Sequence, residues 1–411
     1  MSSGIVIFLP GHLNGFGGGG NNYAISHGRV AQRLGCDVHY FYHTDDPAGS
    51  SSDFGVLHPL RSKTKVCHFD LPELTDELER AVIDFVVSLP AQKSRPAVLI
   101  HAFGPWSFTA HQIVLALRTR GIPAAAVASS FAGYVQEKWS QLMGSLHYSP
   151  KNTIHLLSIL AKAVFHIHPR EAKGYRNAGL VLVNYDKIKR DLQTTFGKSL
   201  RFRKITYCPA SAFLPQLPEP IAASLLPPGT APLIVVVSRH DSRKGIDVML
   251  KALHKLKNDG HPFRVILLGT GPLWNENRLL AKRLGLADAA FPGFVEDTLA
   301  YLRAADIFVL PSRAEQSGSV SLLEAFQCGV ASVCSACDGI PEDIKDGENG
   351  LLAHPGDHRD LANKIAVLLE DAELRKRLGE AGHTTFQSRF SGEAMTHDLG
   401  EVYAELLREI A

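Results

Sequence analysis

The chain has 411 residues, of which 45% are hydrophobic and 20% charged; this composition is typical of globular enzymes, and the length predicts two domains. Its formal net charge of +2, from 43 basic and 41 acidic residues, gives no electrostatic basis for binding nucleic acid. No stretch approaches the roughly 20 apolar residues that span a bilayer, and the N-terminus lacks a signal-peptide pattern. We therefore expect a cytoplasmic protein without a transmembrane segment.

The six cysteines are too few for a disulfide scaffold, and reduced thiols are the default expectation in a cytoplasmic protein. Cys334 and Cys337 form a CxxC pair, but a zinc site needs about four ligands and no second pair lies nearby. The pair is interpreted as ordinary buried or loop thiols, and we expect neither a metal nor another cofactor.

The first half of the chain alternates short apolar runs with helical patterns. The apolar runs are typical of parallel strands buried on both faces, and strands are predicted over 4–11, 37–43, 97–103 and 123–130. Helices are predicted over 23–34, 73–89 and 109–121, and a glycine cluster, GFGGGG, fills 15–20. This alternation predicts a parallel sheet covered by helices on both faces.

A proline-rich passage at 214–232 interrupts the alternation and is the best linker candidate in the chain. The pattern then restarts, with strands predicted over 231–238, 263–269 and 306–312 and helices over 247–259, 274–285 and 320–329. The alternation therefore predicts the fold class α/β with two Rossmann-like domains, and two such domains facing each other would hold their ligands in the cleft between them. The predicted boundaries are 1–213 for the first domain, 214–230 for a linker, 231–388 for the second domain and 389–411 for an amphipathic C-terminal helix.

The loop SRHDSRKGID follows the first strand of the second half and carries two cations, Arg239 and Lys244. Ligands of open α/β sheets bind beyond the carboxyl ends of the strands. A planar guanidinium and a compact ammonium both suit a diphosphate, and Gly245 would let the chain turn into the next helix. The alternative interpretation is a solvated loop with ordinary surface charges.

Two further clusters follow strands in the second half. The turn LLGTGP contains Gly269 but lacks the third glycine of a dinucleotide-binding fingerprint, so it is a weak signal alone. The segment FPGFVEDT is strand-like until about Val295 and could pack its backbone against a nucleotide base. Its alternative interpretation is simply another connection between a strand and a helix.

The most informative cluster is PSRAEQSGSVSLLEAFQCG at 311–329. Here a strand ends at Pro311, a polar loop bears Glu315, and a helix begins near Ser319. Free N–H groups at the start of that helix would favour an anion such as phosphate. Glu324 lies on an otherwise apolar helical face, where a carboxylate needs partners because unpaired burial is costly. Ribose hydroxyls would be suitable donors to it, and a structural carboxylate bonded to nearby backbone is the alternative.

Taken together, these clusters resemble the retaining glycosyltransferases of family four, which have the GT-B fold. The segments SRHDSRKG, GTGP, PGFVED, PSRAEQSGSVSLLEA, SACDGIPEDI and DGENGLLAHPGD occur in the order and at the intervals of that family's motifs. The resemblance is strong over 231–360 and weaker over 1–215. It implies that the C-terminal helix crosses back to the first domain, and a surface helix of the second domain is the alternative.

The resemblance also implies roles for individual residues. Arg239 and Lys244 would neutralise the leaving diphosphate in place of a metal, Glu315 would contact the hydroxyls of the donor sugar, and Glu324 would bind the ribose. These three residues, Arg239, Lys244 and Glu315, are the predicted catalytic residues. The predicted donor-binding set is Gly18, Gly19, Arg239, Lys244, Gly269, Val295, Glu315, Gln316, Ser317, Gly318, Ser319, Val320 and Glu324.

The family usually places seven residues between its two glutamates, whereas Glu315 and Glu324 enclose eight. Counting back from Glu324 with the family spacing reaches Gln316, and counting forward from the Pro-Ser pair reaches Glu315. We favour Glu315 as the sugar contact, because Gly318 and its neighbouring serines can absorb one extra residue before the helix starts.

The first half departs from the family pattern at two places. His101 resembles the first histidine of the family's H-x-H-D stretch, but Phe103 and Gly104 replace the second histidine and the aspartate. Ser129 stands where the family usually has another histidine. His101 and Ser129 are therefore weak candidates for acceptor binding, and a structural histidine is an equal alternative. Gly18 and Gly19 match the family's glycine loop, although such turns also occur in ordinary flexible loops.

The predicted function is retaining transfer of a hexose from a nucleotide diphosphate sugar to an acceptor hydroxyl without a metal ion. A UDP-sugar is the favoured donor and a GDP-sugar the second choice, while the acceptor could be a sugar, a lipid-linked molecule or a small molecule. The alternatives are a nucleotide-sugar epimerase or hydrolase of the same fold, or a non-catalytic nucleotide-sugar-binding protein.

Overall fold

The computed structural model describes residues 4–11, 19–44, 52–61, 71–90, 96–131, 135–136, 138–139, 142, 157–315 and 317–410. These residues divide into two compact units. The first unit comprises the described residues within Met1–Trp139, Ile154–Phe213 and Gly392–Ala411, and the second comprises those within Ser140–Thr153 and Leu214–Ser391. The segment 214–230, predicted as a linker, groups with the second unit, where Ile221 N donates to Ala300 O over 2.9 Å.

The first unit contains a seven-stranded sheet in the order β3-β2-β1-β4-β5-β6-β7. Its neighbouring strands run parallel. The strands are β1 (Ile5–Gly11), β2 (Asp37–Thr44), β3 (Val56–Arg61), β4 (Val98–Phe103), β5 (Ala124–Ser129), β6 (Val181–Val183) and β7 (Phe202–Lys204). The direction of strand addition reverses between β1 and β4, which is the switch point of a doubly wound sheet.

The second unit repeats this design with six strands in the order β10-β9-β8-β11-β12-β13. Again the neighbours run parallel. The strands are β8 (Leu233–Val237), β9 (Arg264–Leu268), β10 (Ala290–Gly293), β11 (Ile307–Leu310), β12 (Ala331–Ser335) and β13 (Leu351–Ala353). Its switch point lies between β8 and β11.

Helices connect the strands, as parallel pairing requires. They are α1 (Gly19–Arg33), α2 (Leu71–Ser88), α3 (Ser107–Thr119), α4 (His168–Asn177), α5 (Asp186–Phe196), α6 (Ile246–Asn258), α7 (Trp274–Arg283), α8 (Thr298–Arg303), α9 (Val320–Gln327), α10 (Ile340–Asp343), α11 (His358–Glu370), α12 (Ala372–Thr385) and α13 (Gly392–Ile410). The last helix, α13, lies in the first unit and packs against α1, β4 and β5. None of the helices within the described residues combines the length and apolarity needed to cross a membrane.

The apolar side chains of the strands form the cores. In the second unit, β8 and β11 lie beside each other and pack on α6 and α11 through buried residues such as Ile234, Leu250, Val309 and Ile365. In the first unit, β1 and β4 pack on α2 and α3. Strands of this kind are buried on both faces, which explains why they are continuous apolar runs without polar alternation.

The structure confirms the predicted α/β class and the predicted strands that became β1, β2, β4, β5, β8, β9 and β11. Shorter or less apolar strands, including β3, β6, β7 and β13, were not predicted. Three of these have only three residues each, too few to show a period. The sequence did not predict β12 as a separate strand. Its five residues are all buried, and a short apolar run of this kind does not distinguish a strand from a segment of a buried helix.

Candidate active site

The predicted motifs of the second unit meet at one edge of its sheet. The loops after β8, β9, β11 and β12 leave the carboxyl ends of adjacent parallel strands, so they converge around the switch point between β8 and β11. The loops after β8 and β11 carry Lys244 and Glu315, respectively. This edge is the candidate site.

Lys244 and Glu315 form a buried ion pair at the centre of this edge. Lys244 Nζ lies 2.7 Å from both carboxylate oxygens of Glu315, and the side chains are 19% and 3% exposed. The Ser312 hydroxyl donates a further bond to Glu315 Oε1. The two residues therefore hold each other in place.

Gly245 allows the two loops to come this close. It has φ +62° and ends a short 3₁₀ turn, Ser242–Lys244, directly before α6. A Cβ atom at this position would lie 2.1 Å from the carbonyl oxygen of Pro311. A left-handed backbone and a close backbone approach both require glycine here. The prediction that Gly245 turns the chain into the helix is confirmed.

A second ion pair, which the sequence did not reveal, joins the same two loops. Arg313 donates to both carboxylate oxygens of Asp247, each over 2.7 Å, and its backbone N–H donates to Arg243 O over 2.6 Å. Asp247 is buried at the start of α6. Planar, two-point pairing of this kind fixes orientation as well as distance, so it positions the loops that carry Lys244 and Glu315.

The loop after β12 supports Glu315 from another side. Asp338 Oδ2 accepts the backbone N–H of Glu315 over 2.7 Å, and Gly339 N donates to Ser317 O over 2.8 Å. Asp338 adopts φ +49° and is the single non-glycine residue with positive φ in the described chain. It belongs to the segment SACDGIPEDI. Aspartate tolerates this backbone region, and its carboxylate lies beside the site.

Helix α9 begins next to the Lys244–Glu315 pair. Ser319 is its N-cap residue, but the serine side chain does not cap the helix; its hydroxyl lies 3.0 Å from that of Ser321. First-turn N–H groups have no acceptor within a helix, so the groups at and after Val320 can meet an anion. Ser317 and Gly318 are half-buried in the loop before it. Gln316 lies outside the described residues.

Glu324 lies one turn into α9, where its residue is only 8% exposed. Its Oε2 accepts a long bond of 3.4 Å from the Thr298 hydroxyl. Burial raises the pKa of its carboxyl from 4.5 to about 7, and the nearby charge of Asp297 adds to this effect. A carboxylate so weakly satisfied gains from any additional hydrogen-bond donor.

The GTG turn after β9 packs closely on the loop after β8. Gly269 has φ +110°, and a Cβ atom there would lie 2.1 Å from Ser238 O. His240, which the sequence did not single out, exchanges backbone bonds with Thr270 and Leu273, each of 2.9 Å. Burial lowers the pKa of His240 to about 4, so its neutral ring accepts a 3.2 Å bond from the Asn277 amide.

The remaining predicted residues of the second unit are more open. Arg239 follows Ser238 and is exposed, and no ion pair of its guanidinium occurs within the described part of the chain. Val295 lies just after β10 and is half-buried. Both therefore border the same strand edge and are open to solvent.

The candidates of the first unit have a different environment. His101 is fully buried, its Nε2 lies 2.7 Å from Ser129 Oγ, and its Nδ1 lies 2.6 Å from Tyr403 Oη of α13. Burial, with the nearby His27, lowers the pKa of His101 well below its ordinary value, so the ring is neutral. Both ring nitrogens are thus used within the unit. The acceptor-binding role of His101 and Ser129 stays a prediction without support from these contacts.

Gly19 is the first residue of α1, so it lies at a helix start, whereas Gly18 lies outside the described residues. In the described ranges, no group of three or more His, Cys, Asp or Glu side chains could hold a metal ion. The five cysteines within those ranges, Cys334 and Cys337 among them, are free thiols.

Comparison with known proteins shows what the second half of the chain is similar to. Residues 219–385 match the family model Glycosyl transferases group 1. The lipopolysaccharide core biosynthesis glycosyltransferase LpsE of Rhizobium meliloti is 34% identical over 186 residues, 45% of this chain and 52% of that protein. The N-acetyl-alpha-D-glucosaminyl L-malate synthase of Bacillus anthracis is 29% identical over 178 residues, 43% and 46% of the two chains. The chain thus spans about half the length of the curated relatives it matches.

Solved structures match over nearly the whole chain. Sucrose-phosphate synthase of Thermosynechococcus elongatus superposes with a TM-score of 0.76 at 22% identity, covering 99% of this chain and 100% of that one. Anabaena HepE in complex with UDP-glucose superposes with a TM-score of 0.67 at 16% identity, covering 97% and 99%. At these identities the likeness shows the fold. The chain therefore has the GT-B fold, and its residues 219–385 are similar to the Glycosyl transferases group 1 family.

Proposed function

We propose that this protein is a retaining glycosyltransferase that moves a hexose from a nucleotide diphosphate sugar to an acceptor hydroxyl. The observation that carries the proposal is the buried Lys244–Glu315 pair, held at the carboxyl ends of β8 and β11 beside the start of α9. The cation and the N–H groups at the start of α9 suit the phosphates of a nucleotide diphosphate sugar, and the carboxylate suits the hydroxyls of its sugar.

The leaving diphosphate would take the positive charges of the site. In this scheme Arg239, which is exposed, and Lys244 bind phosphate oxygens while the first turn of α9 donates N–H groups. Donors fixed in advance stabilise charge as it develops on the leaving group, which is the largest source of catalysis in many enzymes. We infer that these groups replace a divalent metal.

The two glutamates would accept hydrogen bonds from the two sugars of the donor, the transferred sugar and the ribose. When a phosphate draws Lys244 towards itself, the carboxylate of Glu315 becomes free to accept hydrogen bonds from hydroxyls of the transferred sugar. Glu324, whose Oε2 accepts a long bond from the Thr298 hydroxyl, would accept hydrogen bonds from hydroxyls of the ribose. Gly269 and Val295 would border the nucleoside, and their backbone atoms suit close approach by a flat base.

Retention follows in this proposal from holding the acceptor hydroxyl on the same face of the sugar as the departing phosphate. A phosphate oxygen of the leaving group then takes the proton of the acceptor hydroxyl as the new bond to the anomeric carbon forms. The scheme needs no nucleophilic side chain.

We favour a UDP-sugar as donor, with a GDP-sugar as the second choice, because Anabaena HepE of the same fold was solved with UDP-glucose. The acceptor is proposed to be a sugar, a lipid-linked molecule or a small molecule. We further propose that the protein works in the cytoplasm, where nucleotide sugars are its donors.

The experiment that tests the proposal has two steps. Thermal unfolding is measured with UDP, GDP, ADP and their sugars, because specific binding stabilises the folded state by mass action. The best donor is then incubated with candidate acceptors, and release of nucleotide diphosphate and the anomeric configuration of the product are measured. Acceptor-dependent release with retained configuration supports the proposal. Release without acceptor indicates a hydrolase, isomerised donor indicates an epimerase, and binding without turnover across the acceptors indicates a binding protein.

A further inference from the structure

Asp338 brings a second carboxylate to the Lys244–Glu315 pair. It lies in the loop after β12, and its Oδ2 accepts the backbone N–H of Glu315 over 2.7 Å. The neighbouring Cys337 thiol lies 3.6 Å from Ser312 O, and the Ser312 hydroxyl binds the Glu315 carboxylate. The loops after β11 and β12 therefore hold two acidic residues within one small part of the site.

The Cys337 thiol shows that both acids act on the same position. Burial raises the pKa of this thiol, and the charges of Glu315 and Asp338 raise it further. The ammonium of Lys244, which pairs with Glu315, lowers the same pKa. Two carboxylates and one ammonium thus act on one position, and the pairing of Lys244 with Glu315 adds to the charge of Asp338 without removing it.

We propose that Asp338 restricts the donor to neutral sugars and excludes uronic acids, whose ring carries a carboxylate. This inference rests on the proposed function, in which Lys244 moves to a phosphate oxygen and Glu315 accepts hydroxyls of the transferred sugar. The ammonium then serves the diphosphate, and the sugar lies beside two carboxylates. Sugar hydroxyls can donate to a carboxylate, whereas a third carboxylate has no proton to donate and is repelled.

The exclusion comes from charge and needs no bond between Asp338 and the sugar. The Glu315 side chain is only 3% exposed, and charges interact more strongly at such a position than in water. The repulsion acts across the width of a sugar ring, so it does not depend on which hydroxyl Glu315 accepts. Arg313, on the same loop, already donates to both carboxylate oxygens of Asp247.

Asp338 also has a structural role, since it binds the backbone N–H of Glu315, and substitution separates this role from its charge. Asparagine keeps a side-chain oxygen as acceptor and tolerates the positive φ of +49°. Asp338→Asn therefore removes the charge and retains the acceptor. Asp338→Gly removes both and also tolerates the backbone conformation.

The test compares dissociation constants of donors by isothermal titration calorimetry, which needs no acceptor. UDP-glucose and UDP-glucuronate differ only at C6, which is a hydroxymethyl group in one and a carboxylate in the other, and UDP-xylose lacks this group. With about a tenfold effect of each carboxylate, the unchanged protein should bind UDP-glucuronate about 100-fold more weakly than UDP-glucose or UDP-xylose. GDP-mannose and GDP-mannuronate take their place if the protein binds GDP rather than UDP.

Asp338→Asn should narrow this preference about tenfold, and Asp338→Gly should narrow it to the same extent. The ratio of the two dissociation constants is the readout, because a loss of affinity common to both donors cancels in it. Glu348→Gln is the matched control. It removes one charge from a side chain that is 71% exposed and that precedes β13, at the opposite edge of the sheet, so the ratio should stay unchanged. Circular dichroism checks that each variant is folded.

The possible outcomes separate this inference from the proposed function. Equal affinities for UDP-glucose and UDP-glucuronate, or a ratio that Asp338→Asn leaves unchanged, overturn the inference while the proposed function stands. The inference also fails if only Asp338→Gly narrows the preference, because the hydrogen bond rather than the charge then sets it. Binding of UDP-xylose as weak as that of UDP-glucuronate would assign the preference to a contact with the 6-hydroxyl. A protein that binds neither UDP nor GDP overturns the proposed function, and the inference with it.

Discussion

Glu324 allows a sharp test of the site, because its burial makes the stability of the second unit depend on pH. Its pKa is about 7 in the folded protein against 4.5 in a free glutamate, and desolvation is the main cause. Between these pH values the folded state keeps a proton that the unfolded chain has released. The free energy of unfolding therefore falls as pH rises through this window, and at 1.36 kcal/mol per pH unit the loss is about 3 kcal/mol.

Glu324→Gln removes the titration while keeping the size of the side chain. We compare the free energy of unfolding of the variant with that of the unchanged protein at each pH. This difference should shift in favour of the variant by about 2–3 kcal/mol between about pH 5 and about pH 8. The same variant should bind the donor nucleotide more weakly, since an amide is a poorer acceptor for ribose hydroxyls than a carboxylate. Higher stability together with weaker binding is the outcome expected of a functional carboxylate.

Urea unfolding can be followed in the second unit alone through the fluorescence of Trp274. The other two tryptophans, Trp106 and Trp139, lie in the first unit and are replaced by Phe in the background protein. Glu348→Gln is the control, because the Glu348 side chain is 71% exposed and should show no such change with pH. An equal effect of Glu324→Gln at both pH values, or a loss of stability at the higher one, would refute the reasoning.

Four further outcomes are expected. Lys244→Met should abolish turnover and destabilise the protein by about 3–5 kcal/mol, because it leaves a buried carboxylate unpaired; adding Glu315→Gln should restore the melting temperature but not turnover. Glu315→Gln should impair kcat strongly and Gln316→Ala mildly, and the reverse order in steady-state kinetics would assign the sugar contact to Gln316. Arg313→Lys should lower kcat more than it weakens nucleotide binding, since an ammonium cannot reproduce the planar pairing of two guanidinium nitrogens with Asp247; an unchanged kcat would contradict its positioning role. EDTA should leave activity unchanged, and recovery of lost activity with magnesium or manganese would show that a metal is needed.

Much of the architecture was readable from the chain because parallel strands buried on both faces are continuous apolar runs. Strands β1, β4, β8 and β11 are of this kind, and the helices between them follow from the need to cross over between parallel strands. The motif order in the second half then placed Arg239, Lys244, Glu315 and Glu324 after strand ends. Local sequence is sufficient for this step because a strand and the loop after it are adjacent in the chain.

The contacts between those motifs were not readable, because they join residues far apart in sequence. Lys244 and Glu315 are 71 positions apart, and their pairing depends on β8 and β11 being neighbours in the sheet. The support from Arg313 depends on the same neighbourhood, and that from Asp338 on the pairing of β12 with β11. The sequence shows that a residue is polar, but the order of the strands in the sheet decides which residue it forms an ion pair or hydrogen bond with.

His101 shows the same division in the first unit. The sequence places a histidine at the end of a buried strand. At such a position the sequence does not distinguish a histidine that contacts a ligand from one that has a structural role. Its partners are Ser129, on the neighbouring strand β5, and Tyr403, 302 positions away on α13. The sequence by itself determined the apolar periodicity, and with it the strands, the helices and the ends of the strands that carry polar residues. The tertiary structure decided which of those polar groups are satisfied inside the protein and which remain open to a ligand, because hydrogen bonds and ion pairs form between atoms that the fold brings within about 3 Å.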